Sequence, residues 1–471
     1  MMTTLLRAAP ALLLAATVQA RPLPPPAATT PADPVLAELI RESLARRPEL
    51  RQADALVRAE RERVPQAGAF QDPVLSLGIQ NDGFAGLQIG KMASSYWQVM
   101  ITQPLSWPGK LGLRSDVAST GARLAEASVV RARLTAEADV RRAYLDLLLV
   151  RDRLALLAKL EALWTKAEGL ARIRYESGEG AQSDILRAQL ERNRLRQRRW
   201  SLEADHRTRL QAVNRLRAHP LDEPFPTTTS VAALGLPALP GVEASLTDAE
   251  RRSPELQFAR LAAERATQQV ALARRERYPD LALTAAIMPR GSLEPMWSAG
   301  LSVSLPIFSG SKQWRAVAES EARAVAGEGG AETVLQVLRL RVEERLALLA
   351  SLLDSARLYR DGLIIQSQAT ADSTLSQYRV GRVTFASVLE AIAGVISDED
   401  GYLQTVAAAQ RVAIAADEVS LDSTGGAAGT LSSGPVPGAG AVGGGASASA
   451  GAAAPSGGGD AASASSSMTK M

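Results

Sequence analysis

The sequence of 471 residues contains no cysteine, so no disulfide can stabilise the fold and no thiolate is available as nucleophile or metal ligand. The same absence excludes a lipidated N-terminal cysteine. Histidine occurs only as His206, in a charged stretch, and His219, beside Pro220, and neither stands in a ligand pattern. Aromatic residues make up 4% of the chain, too few for a thick core but enough for thin walls of paired helices. Neither sign of charge dominates; a net charge of +3 points to no nucleic acid and no acidic partner. Past the N-terminus, no stretch offers the ~20 uninterrupted apolar residues that a spanning helix needs. The best window, 145–164, is broken by Asp146, Arg151, Asp152, Arg153, Lys159 and Glu161. No glycine-rich phosphate loop follows a strand and no nucleophile sits in a recognisable setting, so no enzyme, cofactor or metal site is expected.

What is present begins with an export signal. Arg7 supplies the positive end, Ala8 to Val18 the apolar run and Val18-Gln19-Ala20 a small-residue cleavage site, so residues 1–20 read as a signal peptide. An exported chain without apolar helices can enter a membrane only as a β-barrel.

The chain then says nearly the same thing twice. Arg174-Tyr175-Glu176-Ser177-Gly178 is echoed by Gln377-Tyr378-Arg379-Val380-Gly381, with the tyrosines 203 residues apart. Pro48-Glu49-Leu50 returns as Pro254-Glu255-Leu256, 206 residues on. A period near 200 predicts one pseudo-symmetric body: a first repeat over 21–217, a connection over 218–247 with five prolines, and a second repeat over 248–423. Beyond it, 424–471 is Gly-, Ala- and Ser-rich and reads as a disordered tail.

Each repeat mixes two periods. Leu75, Leu77 and Ile79 alternate with small or polar neighbours, as do Trp97, Val99 and Ile101; in the second repeat the alternating residues are Leu281, Leu283 and Ile287, then Trp297, Leu301 and Val303. These predict strands at about 73–80, 95–103, 281–288 and 297–305, with Trp97 and Trp297 at strand starts as an interfacial girdle. Alternation alone does not separate a membrane barrel from an ordinary soluble sheet. Four strands cannot close a membrane barrel, whereas three chains would supply twelve.

The hairpins exit through Pro104 to Lys110 and Pro306 to Lys312 into long helices, the first predicted over 113–175. Leu147 and Leu154 lie seven apart, as do Val150, Leu157 and Trp164, and Leu335, Val342, Leu349, Ala356 and Leu363 continue the spacing in the second repeat. Sustained heptads predict coiled-coil packing. The arginine-rich run from Arg187 to Arg199 reads as a solvated helix face.

The two-copy pattern over about 35–420 resembles the TolC-like outer membrane efflux proteins. Asp72-Pro73-Val74-Leu75-Ser76 and the stretch from Gln103 to Arg114 are most similar to the heavy-metal efflux branch. The resemblance implies an α+β membrane protein: a homotrimer with a 12-stranded outer-membrane β-barrel, continued across the periplasm by an α-helical coiled-coil barrel. It implies a passive exit duct in a tripartite system, with a periplasmic adaptor, an inner-membrane pump and outer-membrane lipid as partners. Metal cations are the expected cargo; drugs or secreted proteins are the alternative, and a soluble periplasmic coiled-coil scaffold is the rival class. The tips near 178 and 381 would dock the adaptor through Tyr175, Gly178, Glu179, Tyr378, Gly381 and Arg382. Asp184, Ser387 and Glu390 fall at or beside the positions of the family's acidic pore gate. Arg382 stands one residue before the family's gate arginine, where this chain has Val383, so the gate is expected to be wired differently.

Overall fold

The computed structural model describes residues 33–422, apart from 85 and 228. The expected signal peptide and tail lie outside the described residues.

Helices α1 (Pro34–Arg46) and α2 (Pro48–Gly68) are divided at Arg47. A residue before proline is pushed out of the helical region, and Arg47 is extended at φ −60°, ψ 124°. Strands β1 (Val74–Gln80) and β2 (Tyr96–Leu105) lead into α3 (Lys110–Glu176), a 67-residue helix roughly 100 Å long. It returns as α4 (Gln182–Arg217). The order then recurs with α5 (Val242–Arg252), α6 (Pro254–Arg275), β3 (Leu281–Arg290), β4 (Leu293–Val303), α7 (Gln313–Leu358), α8 (Ile364–Arg379) and α9 (Phe385–Glu418).

Two features differ from expectation. The strands β3 and β4 close over Gly291 and Ser292, with Gly291 at φ 67° as a tight hairpin requires. Trp297 therefore sits inside β4 rather than at its start. The heptad spacing from Ala356 to Leu363 does not run on as plain α-helix either: Tyr359–Leu363 forms one π-helical turn between α7 and α8. Gly401 of α9 makes room there, since a Cβ at that position would lie 2.8 Å from the Tyr359 hydroxyl.

Hydrophobic packing is spread along the helices. One cluster gathers Val140, Tyr144, Leu147 and Leu148 of α3 with Val213 of α4 and Val406 and Ala407 of α9, and Val231 of the connection seals it. That connection is tied down by polar contacts: Asp152 accepts from the Val231 amide at 2.7 Å, and Arg151 donates to the Thr227 carbonyl at 3.0 Å. A second cluster holds the far end, with Trp164, Ala167 and Ala171 of α3 against Ala188, Tyr378, Phe385, Val388 and Ile392. Thin, extended clusters fit a chain with few aromatics. No helix among the described residues is long and apolar enough to cross a membrane.

The four strands form one antiparallel sheet in the order β1-β2-β3-β4.

Candidate functional site

The sheet register aligns the alternating residues across all four strands. Leu75, Leu77 and Ile79 face Ile101, Val99 and Trp97; Val99 in turn faces Ile287, and Leu283 and Ile287 face Leu301 and Trp297. Because side chains on directly paired residues share a face, all twelve expected barrel residues lie on one side of the sheet. Eleven of them are exposed, Trp297 to 79%, and Leu281 is half-buried. On the opposite side Ser76, Gln98, Met100, Thr102, Thr284 and Ala286 are more sheltered, whereas Gly78 of β1 and Ser298, Gly300 and Ser302 of β4 are exposed. A continuous exposed apolar face on four strands, backed by mostly small and polar residues, is the reverse of a sheet packed on a core. The outer edges of β1 and β4 are unpaired.

Below the sheet, the end of β2 is fastened to the start of β3. Lys110, 2% exposed, donates from Nζ to Asp280 Oδ1 and to the Tyr278 carbonyl, both at 2.8 Å. The Trp107 amide donates to the same carboxylate at 2.9 Å, and its ring stacks on Tyr278 with centroids 5.7 Å apart. Burial pushes the Asp280 carboxyl up in pKa, but the Lys110 ammonium and the Trp107 amide outweigh it and hold the group below its ordinary value.

At the far end, α3 and α4 meet in one tight turn and α8 and α9 in another. Gly178 and Gly381 adopt φ 78° and 76°, the left-handed conformation that ends each helix. Gly180 packs so closely that a Cβ would lie 2.9 Å from that of Arg174. Of the expected docking residues, Tyr175, Gly178, Glu179, Gly381 and Arg382 are exposed. Tyr378 differs: it is 1% exposed, tilted against Phe385 at 5.4 Å, and its hydroxyl donates to Asp184 Oδ2 at 3.0 Å. It packs the two hairpins together instead of presenting a surface. Burial first, then the neighbouring Asp184 carboxylate, pushes its phenol up to about 12.

The expected gate residues are not all brought together. Asp184 is half-buried and bonded to Tyr378, Ser387 shares a weak 3.4 Å hydroxyl contact with Thr384, and Glu390 is exposed. Sequence reasoning missed Arg174. Its guanidinium lies 4.9 Å over the Tyr378 ring and donates to the carbonyls of Tyr378 and Glu179, each at 3.0 Å. The only signal was its place next to Tyr175; its counterpart before Tyr378 is Gln377. Sequence reasoning also passed over Glu168, 7% exposed, which accepts from Arg192 at 2.5 Å. The hydrogen bond from Arg192, opposed by burial, lowers its pKa. Arg192 is thus half-buried and paired within the hairpin, in contrast to the solvated face expected of its run, while Arg194 and Arg199 do face solvent.

No group of three or more His, Cys, Asp or Glu among the described residues could hold a metal ion. His219 is engaged with Glu223 at 3.0 Å.

Comparison with known proteins follows the same outline. No curated protein matches the sequence. Among solved structures, the outer-membrane channel OprN is similar at 20% identity with a TM-score of 0.67, covering 82% of this chain and 90% of that one. CusC, described for its folding and transmembrane channel formation, is similar at 18% identity and a TM-score of 0.70, covering 81% and 91%. VceC of Vibrio cholerae is similar at 18% identity and a TM-score of 0.64, covering 82% and 95%. At these identities the likeness shows a shared fold. The family described as outer membrane efflux protein matches residues 39–219 and 246–415, most of the described chain. The chain belongs to the outer membrane efflux protein family.

Proposed function

We propose that this protein is the outer-membrane exit duct of a tripartite efflux system, built from three copies of an internally duplicated chain. The observation that carries the reading is the four-stranded sheet with an outward apolar face and two open edges. Open edges invite further strands, and closure into a barrel removes them. Three copies supply twelve strands, enough to enclose a water-filled lumen. The long hairpins α3–α4 and α7–α9 would continue that lumen through the periplasm and end at the tips near Gly178 and Gly381. There the exposed Tyr175, Glu179 and Arg382 would meet the adaptor, which links the duct to an inner-membrane pump. Export by the N-terminal signal supports this location. Conduction would be passive, with energy and selection supplied upstream. The cargo reading, heavy-metal cations, rests on the likeness of Asp72 to Ser76 and of Gln103 to Arg114 to the metal branch.

The absence of cysteine makes a direct test available. Single cysteines at Leu75, Val99, Leu283 and Leu301 are expected to react with a lipid-soluble maleimide in reconstituted vesicles. Cysteines at Ser76 and Gln98, on the other side of the sheet, are expected to react only with a water-soluble one. Equal reaction of both sets with the water-soluble reagent would mean that the sheet does not lie in lipid.

A further inference from the structure

The junction below β2 and β3 shows how one sheet edge is fastened to the next strand's start. By sequence count, the same residue types stand unpaired at the two free edges. Subtracting 208 aligns Leu283 with Leu75 and Ile287 with Ile79, and it carries Asp280 to Asp72 and Tyr278 to Phe70. Adding 202 aligns Val99 with Leu301, Ile101 with Val303 and Pro104 with Pro306, and it carries Lys110 to Lys312. Asp72 and Lys312 are both exposed, and neither has an ion-pair partner among the described residues. Phe70, four residues before β1, is 65% exposed; Ile307 and Phe308, just after β4 in the chain, are 75% and 72% exposed. Lys110, in contrast, is buried, and Trp107 lies stacked on Tyr278. An acid and an aromatic wait at one edge, a base and apolar side chains at the other.

We propose that Lys312 of one copy latches onto Asp72 of the next, repeating between chains the Lys110–Asp280 contact made within each. Strand β4 then pairs with β1 of the neighbouring copy in the register that β2 keeps with β3. That register sets Leu301 opposite Ile79 and Val303 opposite Leu77. Phe308 and Ile307 fold over Phe70, covering apolar surface that the single chain leaves in water. Each copy offers a different patch to each neighbour, so the contact is head-to-tail, and with three copies closed into one barrel it forms a ring. This inference rests on the three-copy reading above and supplies its contact.

The test uses the full chain in detergent and measures two things. Native mass spectrometry gives the copy number, and a short bismaleimide applied to the double variant Asp72→Cys, Lys312→Cys reports the contact on a denaturing gel. The expected result is a three-copy mass, with bands at two and three chain masses in the double variant and one chain mass in each single variant. A three-copy mass with no cross-linked bands overturns the latch and leaves the barrel reading standing. A one-copy mass overturns the barrel reading itself. Charge reversal gives an independent check if the cysteine variant fails to fold. Asp72→Lys or Lys312→Asp alone is expected to at least halve the fraction of SDS-resistant oligomer, and the two together to restore it. Failure of the swap to restore it also overturns the latch.

Discussion

Asp184→Ala is expected to raise the ion conductance of the purified protein in planar bilayers, by about fivefold for each ~1 kcal/mol by which the tip contacts are weakened. The expectation comes from how the two hairpin tips are held. Asp184, in the first turn of α4, accepts the Tyr378 hydroxyl from the last turn of α8. Arg174, near the end of α3, covers the ring of the same tyrosine and donates to its carbonyl. One buried phenol thus joins three helix ends, and widening the tip requires that it leave both partners. Alanine at 184 removes the acceptor and strands the hydroxyl in a site with 1% exposure. An unsatisfied buried hydroxyl adds a further penalty to this arrangement of the tips. Tyr378→Phe removes the bond without the stranded donor, so it should open the duct less. The pH dependence has a definite sign. The Tyr378 pKa is raised to about 12 from an ordinary 10, so its contribution is complete below pH 10 and fades only as pH rises through about 12. Conductance should therefore show no step from this phenol between pH 6 and 9. Unchanged conductance in Asp184→Ala would remove Asp184 from the gate.

Asp280→Ala is expected to destabilise the folded protein by about 3 kcal/mol, read as a lower midpoint in thermal unfolding followed by circular dichroism in detergent. Lys110 is buried, and loss of Asp280 leaves its ammonium with only the Tyr278 carbonyl. The figure sits at the low end for a broken buried pair because the Asp280 side chain is 45% exposed and water can reach the vacated place. Replacing both partners, Lys110→Met with Asp280→Ala, should recover most of the loss, since no buried charge then remains. If the double variant is no more stable than Asp280→Ala, the penalty does not come from the stranded ammonium. Acid should act late. The Asp280 carboxyl is held below its ordinary 3.8, so its contribution is complete above that value and is lost as pH falls through the depressed one.

These sites were unequally legible in the sequence. The strands could be read because period two sorts Leu75, Leu77 and Ile79 from their small neighbours without reference to anything distant. The same alternation fixed which face each residue takes, since a one-residue slip would turn every apolar side chain over. A slip of two residues keeps the faces, so the strand partners were not legible. The turn between β3 and β4 was harder. Pro289 and Pro295 break the local strand pattern, yet cross-strand pairing carries Met288 to Met296 and Arg290 to Leu293, with a register shift between. The family resemblance pointed to both tips, but not to the division of labour between their tyrosines. Tyr175 and Tyr378 occupy matching places in the motif, and only the packing of α8 against α9 and the approach of Arg174 leave one exposed and bury the other. Lys110 looked like an ordinary turn lysine, because its carboxylate partner lies 170 residues away.

The π turn at Tyr359–Leu363 has a consequence for symmetry. From Lys110 to Tyr175 the chain advances 65 residues, but from Lys312 to Tyr378 it advances 66. One wider turn can absorb a single surplus residue without lengthening the rod's grooves. Carried in an unbroken α-helix instead, the surplus residue would swing everything beyond it by about 100° around the helix axis. The phenol of Tyr378 would then point away from Asp184, so the local loosening in mid-rod is what lets two unequal halves finish in phase.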